Sequence, residues 1–524
     1  MARTCLRQAC WSASFIILAA IGASSRAGEA ASTPSVDVAR MTRRVDELIL
    51  TRLAKAGIEP AAPADDAEFL RRAHLDLISV IPSAAEVRAY LADRAPDKRL
   101  RLIDQLLARP RHATHLAAAW RDVLLPADPN VAQFGSRTGF EFWLRDRFEQ
   151  NMRYDRLVAE LLITRGNPNQ ATPALFFTAA ELKPEELAAR TARIFLGVQI
   201  ECAQCHDHPT DRWTKRDFWG YAAFFAQLEP LADRPVGTSS FIDKEQGEVF
   251  LPGTKEAVPP TYLGRVDAQA EPGQRRLRLA LWLASKENPY FARATANRIW
   301  ALLFGRGLVE PRDDLGPHNP ASHPELLDEL AQFLVQSRFD LRRLIKMLAS
   351  TDAYARSSEW NAEGAEPPPE LFARMAMKNL SPEQLYDCLS AATRRTPAAL
   401  AREGEFDVDA ARQAFLAKFE GAPASSVEFS SGIPQALTLM NGAEIRSATD
   451  LETSGLLIAL EAPFLSDEAR VEAMFLSTLS RLPREAERSR FLEYVSRAGT
   501  EGKRRGLSDA LWAILNSAEF ALNH

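Results

Sequence analysis

Cys202-Ala203-Gln204-Cys205-His206 is the stretch of this chain whose residue types and spacing point most directly to chemistry. Two thiols three residues apart can form thioethers to the two vinyl groups of a haem, and the histidine that follows can ligate its iron. Cys202, Cys205 and His206 are therefore the candidate cofactor-binding residues, with haem c as the cofactor. A second reading is a tetrahedral metal site of the zinc type. In it His206 and His208 are the imidazole ligands beside the two thiolates. A third is structural, a short-loop disulfide between Cys202 and Cys205 with the histidines as surface polarity. His208 separates the first two. It lies too close in sequence to reach the far face of a haem held by His206, yet it can approach a small ion. Under the haem reading, Asp207 and His208 orient His206 or a propionate, and a sixth ligand must come from elsewhere, with Met347, Met440, His318 and His323 as candidates.

Two other clusters could serve such a site. Trp213, Phe218, Trp219, Tyr221, Phe224 and Phe225 follow the motif at once and could wall a porphyrin, although a helix burying its apolar face would give the same pattern. Farther on, Asn297-Arg298, Phe304-Gly305-Arg306-Gly307-Leu308 and Asp313-Asp314-Leu315, with His318 and His323, could form a polar pocket or a salt-bridge network joining helices. No Gly-x-Ser-x-Gly, P-loop or dinucleotide fingerprint is present, so the common hydrolase and nucleotide readings lack support.

The elements that must position these residues are helical. Apolar residues recur at helical spacing over Val36–Leu53, with Gly57 as the stop, and again over Leu100–Leu107, which Pro110 ends. A helix carrying Leu187, Ile194 and Phe195 runs to Gly197, just before the motif, and another opens at Thr214-Lys215-Arg216-Asp217 just after it. Ser83-Ala84-Ala85-Glu86, Ser322-His323-Pro324-Glu325 and Ser381-Pro382-Glu383-Gln384 read as capping boxes. Residues 231–273 break the pattern with five prolines and several glycines, leaving room for a small hairpin around Val249-Phe250-Leu251. The expected fold is mainly α: a helical domain over 35–230 carrying the motif, this irregular linker, and a second helical domain over 274–524.

A chain of 524 residues is too long for one ordinary core, and 25% charged residues with 46% hydrophobic ones are ordinary globular values. The net charge of −5 gives no reason to expect nucleic acid as a partner. Arg3 and Arg7, the short apolar run Trp11–Ala23 and small residues near Ala27 read as a signal peptide over 1–27, with an uncleaved anchor as the alternative. No later stretch is long enough to span a membrane. The expected location is periplasmic or secreted. Cleavage removes Cys5 and Cys10, leaving the motif cysteines and Cys388, which sits at helical spacing and reads as a buried core thiol. Covalent haem attachment in bacteria takes place outside the cytoplasmic membrane, so the leader and the motif are mutually consistent.

The chain resembles the exported planctomycete-type proteins built from domain-of-unknown-function families 1549 and 1553. The first half of the resemblance rests on Phe69-Leu70-Arg71-Arg72, Leu75-Asp76-Leu77, Ile103-Asp104-Gln105-Leu106-Leu107, and Cys202 to Pro209 followed by Asp217-Phe218-Trp219. The second half rests on Asn288-Pro289-Tyr290-Phe291-Ala292-Arg293, Asn297-Arg298-Ile299-Trp300, Phe304-Gly305-Arg306-Gly307-Leu308, Ser322-His323-Pro324-Glu325 and Leu515-Asn516-Ser517-Ala518-Glu519-Phe520. Pro209-Thr210 stands where the family often has Pro-Phe. The resemblance implies export, a two-domain helical body and a cytochrome-like label, without an assigned activity. The resulting expectation is an exported protein with one c-type haem, a redox or electron-transfer role and a redox or secreted protein as partner. The alternatives are a zinc-type protein, structural or hydrolytic, and a cofactor-free helical scaffold.

Overall fold

The computed structural model describes residues 37–126, 136–165, 173–230, 241–264, 266–267, 274–285, 288–360, 366–394, 410–419, 440, 442–496 and 500–524. The expected signal peptide, with Cys5 and Cys10, lies outside the described residues. Those from Asp37 onward belong to one compact unit. No helix among them is long and apolar enough to cross a membrane.

Seven helices open the unit: α1 (Val38–Ala56), α2 (Asp66–Ile78), α3 (Ala84–Ala92), α4 (Lys98–Leu107), α5 (Pro110–Leu124), α6 (Arg137–Glu149) and α7 (Tyr154–Ile163). Their ends follow from local chemistry. The Asp37 carboxylate accepts the Arg40 N–H at the start of α1, and Gly57 closes it in the left-handed conformation. Ser83 and Glu86 form the reciprocal capping box of α3. Pro110 does not merely end α4: it takes the first position of α5, where its missing N–H costs nothing. After the short α8 (Leu175–Thr178) come α9 (Pro184–Thr191) and α10 (Lys215–Ala222). In and just before the irregular stretch, the described residues form three two-stranded antiparallel pairs rather than one: β1 (Leu228–Pro230) with β2 (Phe241–Asp243), β3 (Val249–Phe250) with β4 (Ala257–Val258), and β5 (Thr261–Tyr262) with β6 (Val266–Asp267).

Helices resume with α11 (Arg275–Leu283), α12 (Phe291–Phe304), α13 (Pro324–Gln336), α14 (Leu341–Ala349) and α15 (Pro382–Ala392), and five more lie between Ala443 and Leu515. The capping box expected at Ser322 does not form. The Ser322 hydroxyl donates instead to the Leu308 carbonyl, and α13 begins from His323 without a side-chain cap. At Ser381 the box with Gln384 is present. Cys388 lies fully buried in the C-terminal apolar cluster, and burial pushes its thiol up to about 11.

The two halves interlock. Helices α1 and α4 pack on α14, α7 packs on α11, and α3 packs on the helix Asp467–Thr478. The joint is polar as well as apolar, and α2 carries it. Arg71, fully buried, donates to the carbonyls of Thr478 and Phe520 at 3.0 Å each. Arg72 donates to those of Tyr354 and Arg356 at 2.8 and 2.7 Å. One turn on, the Asp76 carboxylate accepts Lys378 Nζ at 2.5 Å, Asn523 Nδ2 at 2.6 Å and the Tyr354 hydroxyl at 2.9 Å. Lys378 and Asn523 sit on β7 (Lys378–Asn379) and β8 (Leu522–Asn523), which pair with each other.

Removing Asp76 would strand a buried ammonium. We expect Asp76→Ala to cost about 3–5 kcal/mol in denaturant unfolding, the range for breaking a buried ion pair from one side; a loss below about 0.5 kcal/mol would contradict this role. A pH effect follows from two buried imidazoles. Burial holds His112 and His323 down to about 4 each, against about 6.5 for the unfolded chain. Both are neutral in the fold, so their contribution is complete above pH ~6.5 and is lost as the pH falls toward ~4, on the order of 3 kcal/mol each. Thermal unfolding followed from pH 7 to 4.5 should show a shallower fall for His323→Gln than for the parent chain; equal slopes would rule out a titrating His323.

Candidate functional site

The chain reaches the cysteine motif through a bent helix end. Helix α9 runs into a π turn over Ala192–Leu196, which Gly197 stops at φ 66°. The carbonyl of Gly197 accepts the Leu315 N–H at 2.6 Å. A Cβ at this position would lie 2.5 Å from Leu315 Cδ1, so the site needs glycine for both its backbone and its space. Glu201–Gln204 then forms a single 3₁₀ turn, with Ala203 buried beneath it and Cys202 and Cys205 exposed as free thiols. The turn is fastened from the far side, where Trp219 on α10 donates its Nε1–H to the Gln204 carbonyl at 3.1 Å.

The residues after Cys205 are tied in a second way. His206 is exposed, and its Nδ1–H donates to the Asp207 carbonyl at 2.8 Å. The Asp207 carboxylate accepts the Lys215 N–H at 2.9 Å, satisfying one of the free donors at the start of α10. Thr214 and Asp217 close the same terminus with a reciprocal capping box. His208 is oriented oppositely to His206. Its Nδ1 accepts the backbone N–H of Asp211 at 2.9 Å, and the backbone N–H of His208 donates to the Trp213 carbonyl at 2.8 Å. The two imidazoles therefore differ chemically. With its proton on Nδ1, His206 has an unprotonated Nε2 that can ligate a metal, whereas the neutral His208 carries its proton on Nε2.

A loop from the second half completes the surroundings. Asn297, fully buried on α12, donates to the Val309 and Arg312 carbonyls and accepts the Val309 N–H, which fixes the turn beyond α12. Leu315 seats this loop on Gly197, and Arg193 pairs with Asp313 at 3.5 Å. His318 Nε2 lies 3.0 Å from Asp314 Oδ1, and its Nδ1 is 4.0 Å from the Asp211 carboxylate. Its ring faces that of His208 with centroids 6.5 Å apart. Arg212 lies over the Trp213 ring and bonds the Tyr290 hydroxyl.

Of the four proposed sixth ligands, His318 adjoins the motif. Met347 is buried on α14, Met440 is exposed and accepts Trp512 Nε1 at its carbonyl, and His323 is buried against Phe372. Phe218, Tyr221, Phe224 and Phe225 are core residues, whereas Trp219 is the aromatic bonded to the motif. The Asn297–Leu315 patch is a scaffold of hydrogen bonds and ion pairs. Among the described residues no group of three or more His, Cys, Asp or Glu side chains is gathered to hold a metal ion. The tie between the halves escaped sequence reading because it pairs Gly197 with Leu315 and Arg212 with Tyr290, residues far apart in the chain that no local pattern links. Gly316 beside His318 was the available clue: a Cβ there would stand 2.5 Å from the His318 ring.

Gly197→Ala would combine left-handed strain with a collision on Leu315. We expect a loss of about 1–3 kcal/mol in denaturant unfolding. Adding Leu315→Ala should lessen the collision without relieving the backbone, so the two changes will be non-additive. A neutral Gly197→Ala would contradict the tight seat.

Comparison with known proteins identifies two segments of the chain. No curated protein and no solved structure matches the chain. Residues 44–230 match PSCyt2, a protein of unknown function (DUF1549), and residues 275–413 match PSD1, a protein of unknown function (DUF1553). The first match contains the cysteine motif and the second contains the loop carrying Leu315 and His318. The chain thus carries a PSCyt2 segment followed by a PSD1 segment.

Proposed function

We propose that this is an exported redox protein that carries one c-type haem at Cys202, Cys205 and His206. The observation that carries the reading is the state of His206: its Nδ1–H is committed to the Asp207 carbonyl, which leaves Nε2 as the nitrogen to bind iron. The donor set fits in two further respects. Both thiols are free and exposed, Cys202 on the 3₁₀ turn and Cys205 just after it, and that turn is held by the Trp219 bond rather than by its own cysteines. Each thiol would add across one vinyl group, its sulfur bonding one carbon and its hydrogen passing to the other, so attachment needs no net oxidation. When bound, the haem supplies one-electron exchange at iron.

The chain's own residues account for the rest. Asp207 fixes the His206 tautomer with its carbonyl and docks the motif on α10 with its carboxylate. His208, its Nδ1 already accepting the Asp211 N–H, is poorly prepared to be a ligand, which counts against a cage of two thiolates and two imidazoles. The −5 net charge and the leader-like N-terminus fit an exported protein whose electron partner is another protein.

Expression of the full chain in a host with cytochrome c assembly machinery should give a red protein whose haemochrome survives denaturation and extraction. Cys202→Ser should retain colour through one thioether, with the α band displaced toward that of haem bearing a free vinyl. Cys202→Ser with Cys205→Ser should release all haem on extraction. A colourless protein with one equivalent of zinc would overturn the proposal, as would one with neither group.

A further inference from the structure

The second matched segment meets residues that flank the motif on both sides. Leu315 seats the loop on Gly197, upstream of the cysteines. Asp314 and His318 flank the downstream side, where His318 lies between the Asp314 carboxylate at 3.0 Å and that of Asp211 at 4.0 Å, with its ring against His208. The backbone is shaped for this contact. Gly316 passes so close beneath the imidazole that a Cβ would come within 2.6 Å of His318 Nδ1 and 3.0 Å of Asp211 Oδ2. The Asp211 side chain is 5% exposed, so its charge is poorly screened by water. His208, the ring that His318 faces, is two residues from His206.

We propose that the Asp314–His318 arm of the second segment is a working part of the cysteine site and sets the reduction potential of the group bound at His206. The inference rests on the haem reading above and adds to it the role of the second segment. Oxidation leaves one more positive charge at iron, and fixed carboxylates nearby favour that state. Asp314 and His318 are positioning residues: they act on the site through His208 and Asp211 without touching the bound group.

The test is a redox titration of the full-length holoprotein, comparing Asp314→Asn with Asp328→Asn. Asp328 pairs with Arg293 on the face of α12 and α13, so it offers the same charge change away from the arm. We expect the potential to move positive in Asp314→Asn, to stay at the parent value in Asp328→Asn, and to return toward the parent in Asp314→Glu. His318→Gln should also shift it, with covalent haem content and Soret intensity unchanged. Holoprotein whose potential is the same in all these variants would overturn the inference and leave the haem reading standing. Absence of haem from the parent chain would overturn both.

Discussion

Asp76 is the charge on which the unit turns. A carboxylate with 6% residue exposure is tolerated only because Lys378, Asn523 and Tyr354 all bond it, and those three residues come from distant parts of the chain. Satisfying this one group therefore brings α2, the segment after α14 and the C-terminal strand together. Arg71 and Arg72 on the same helix strengthen the constraint, because each guanidinium must find backbone carbonyls across the joint. Apolar packing of α1 and α4 on α14 supplies area, while the buried charges specify which surfaces meet.

That joint matters for the cysteine motif because the motif is assembled across it. The 3₁₀ turn Glu201–Gln204 is too short to hold a shape alone and has three outside supports: Trp219 on Gln204, Asp207 on the start of α10, and Leu315 on Gly197. The first two belong to the segment that contains the motif. The third comes from the other half, together with the His318 arm. A chain lacking residues 275–413 would keep the cysteines and lose one wall of their site.

Much of the fold was legible in the sequence, for identifiable reasons. Helical spacing over Val38–Leu53 and the left-handed stop at Gly57 are local, and so are the capping boxes at Ser83 and Ser381. Ser322 shows where local reasoning fails: its hydroxyl was claimed by Leu308, a partner fourteen residues away that no capping pattern reveals. Pro110 was legible as a break but not as the opening of α5. Of the candidate site, Cys202, Cys205 and His206 stood out because theirs is the spacing that covalent haem attachment would need. The contrast between His206 and His208 was not, because it depends on which backbone group each Nδ1 meets. Nor was the placement of His318 against His208, since it depends on the long-range fit of Leu315 and Gly316.

We propose that Cys202 and Cys205 hold one haem covalently, with His206 as the residue that would bind its iron. Intact-mass spectrometry of the denatured, full-length holoprotein tests it most directly, followed by peptide mapping. The expected result is an increment of a single haem, carried wholly by the peptide containing residues 202–206. A protein of unmodified mass, or one whose two motif cysteines are linked to each other, would contradict it.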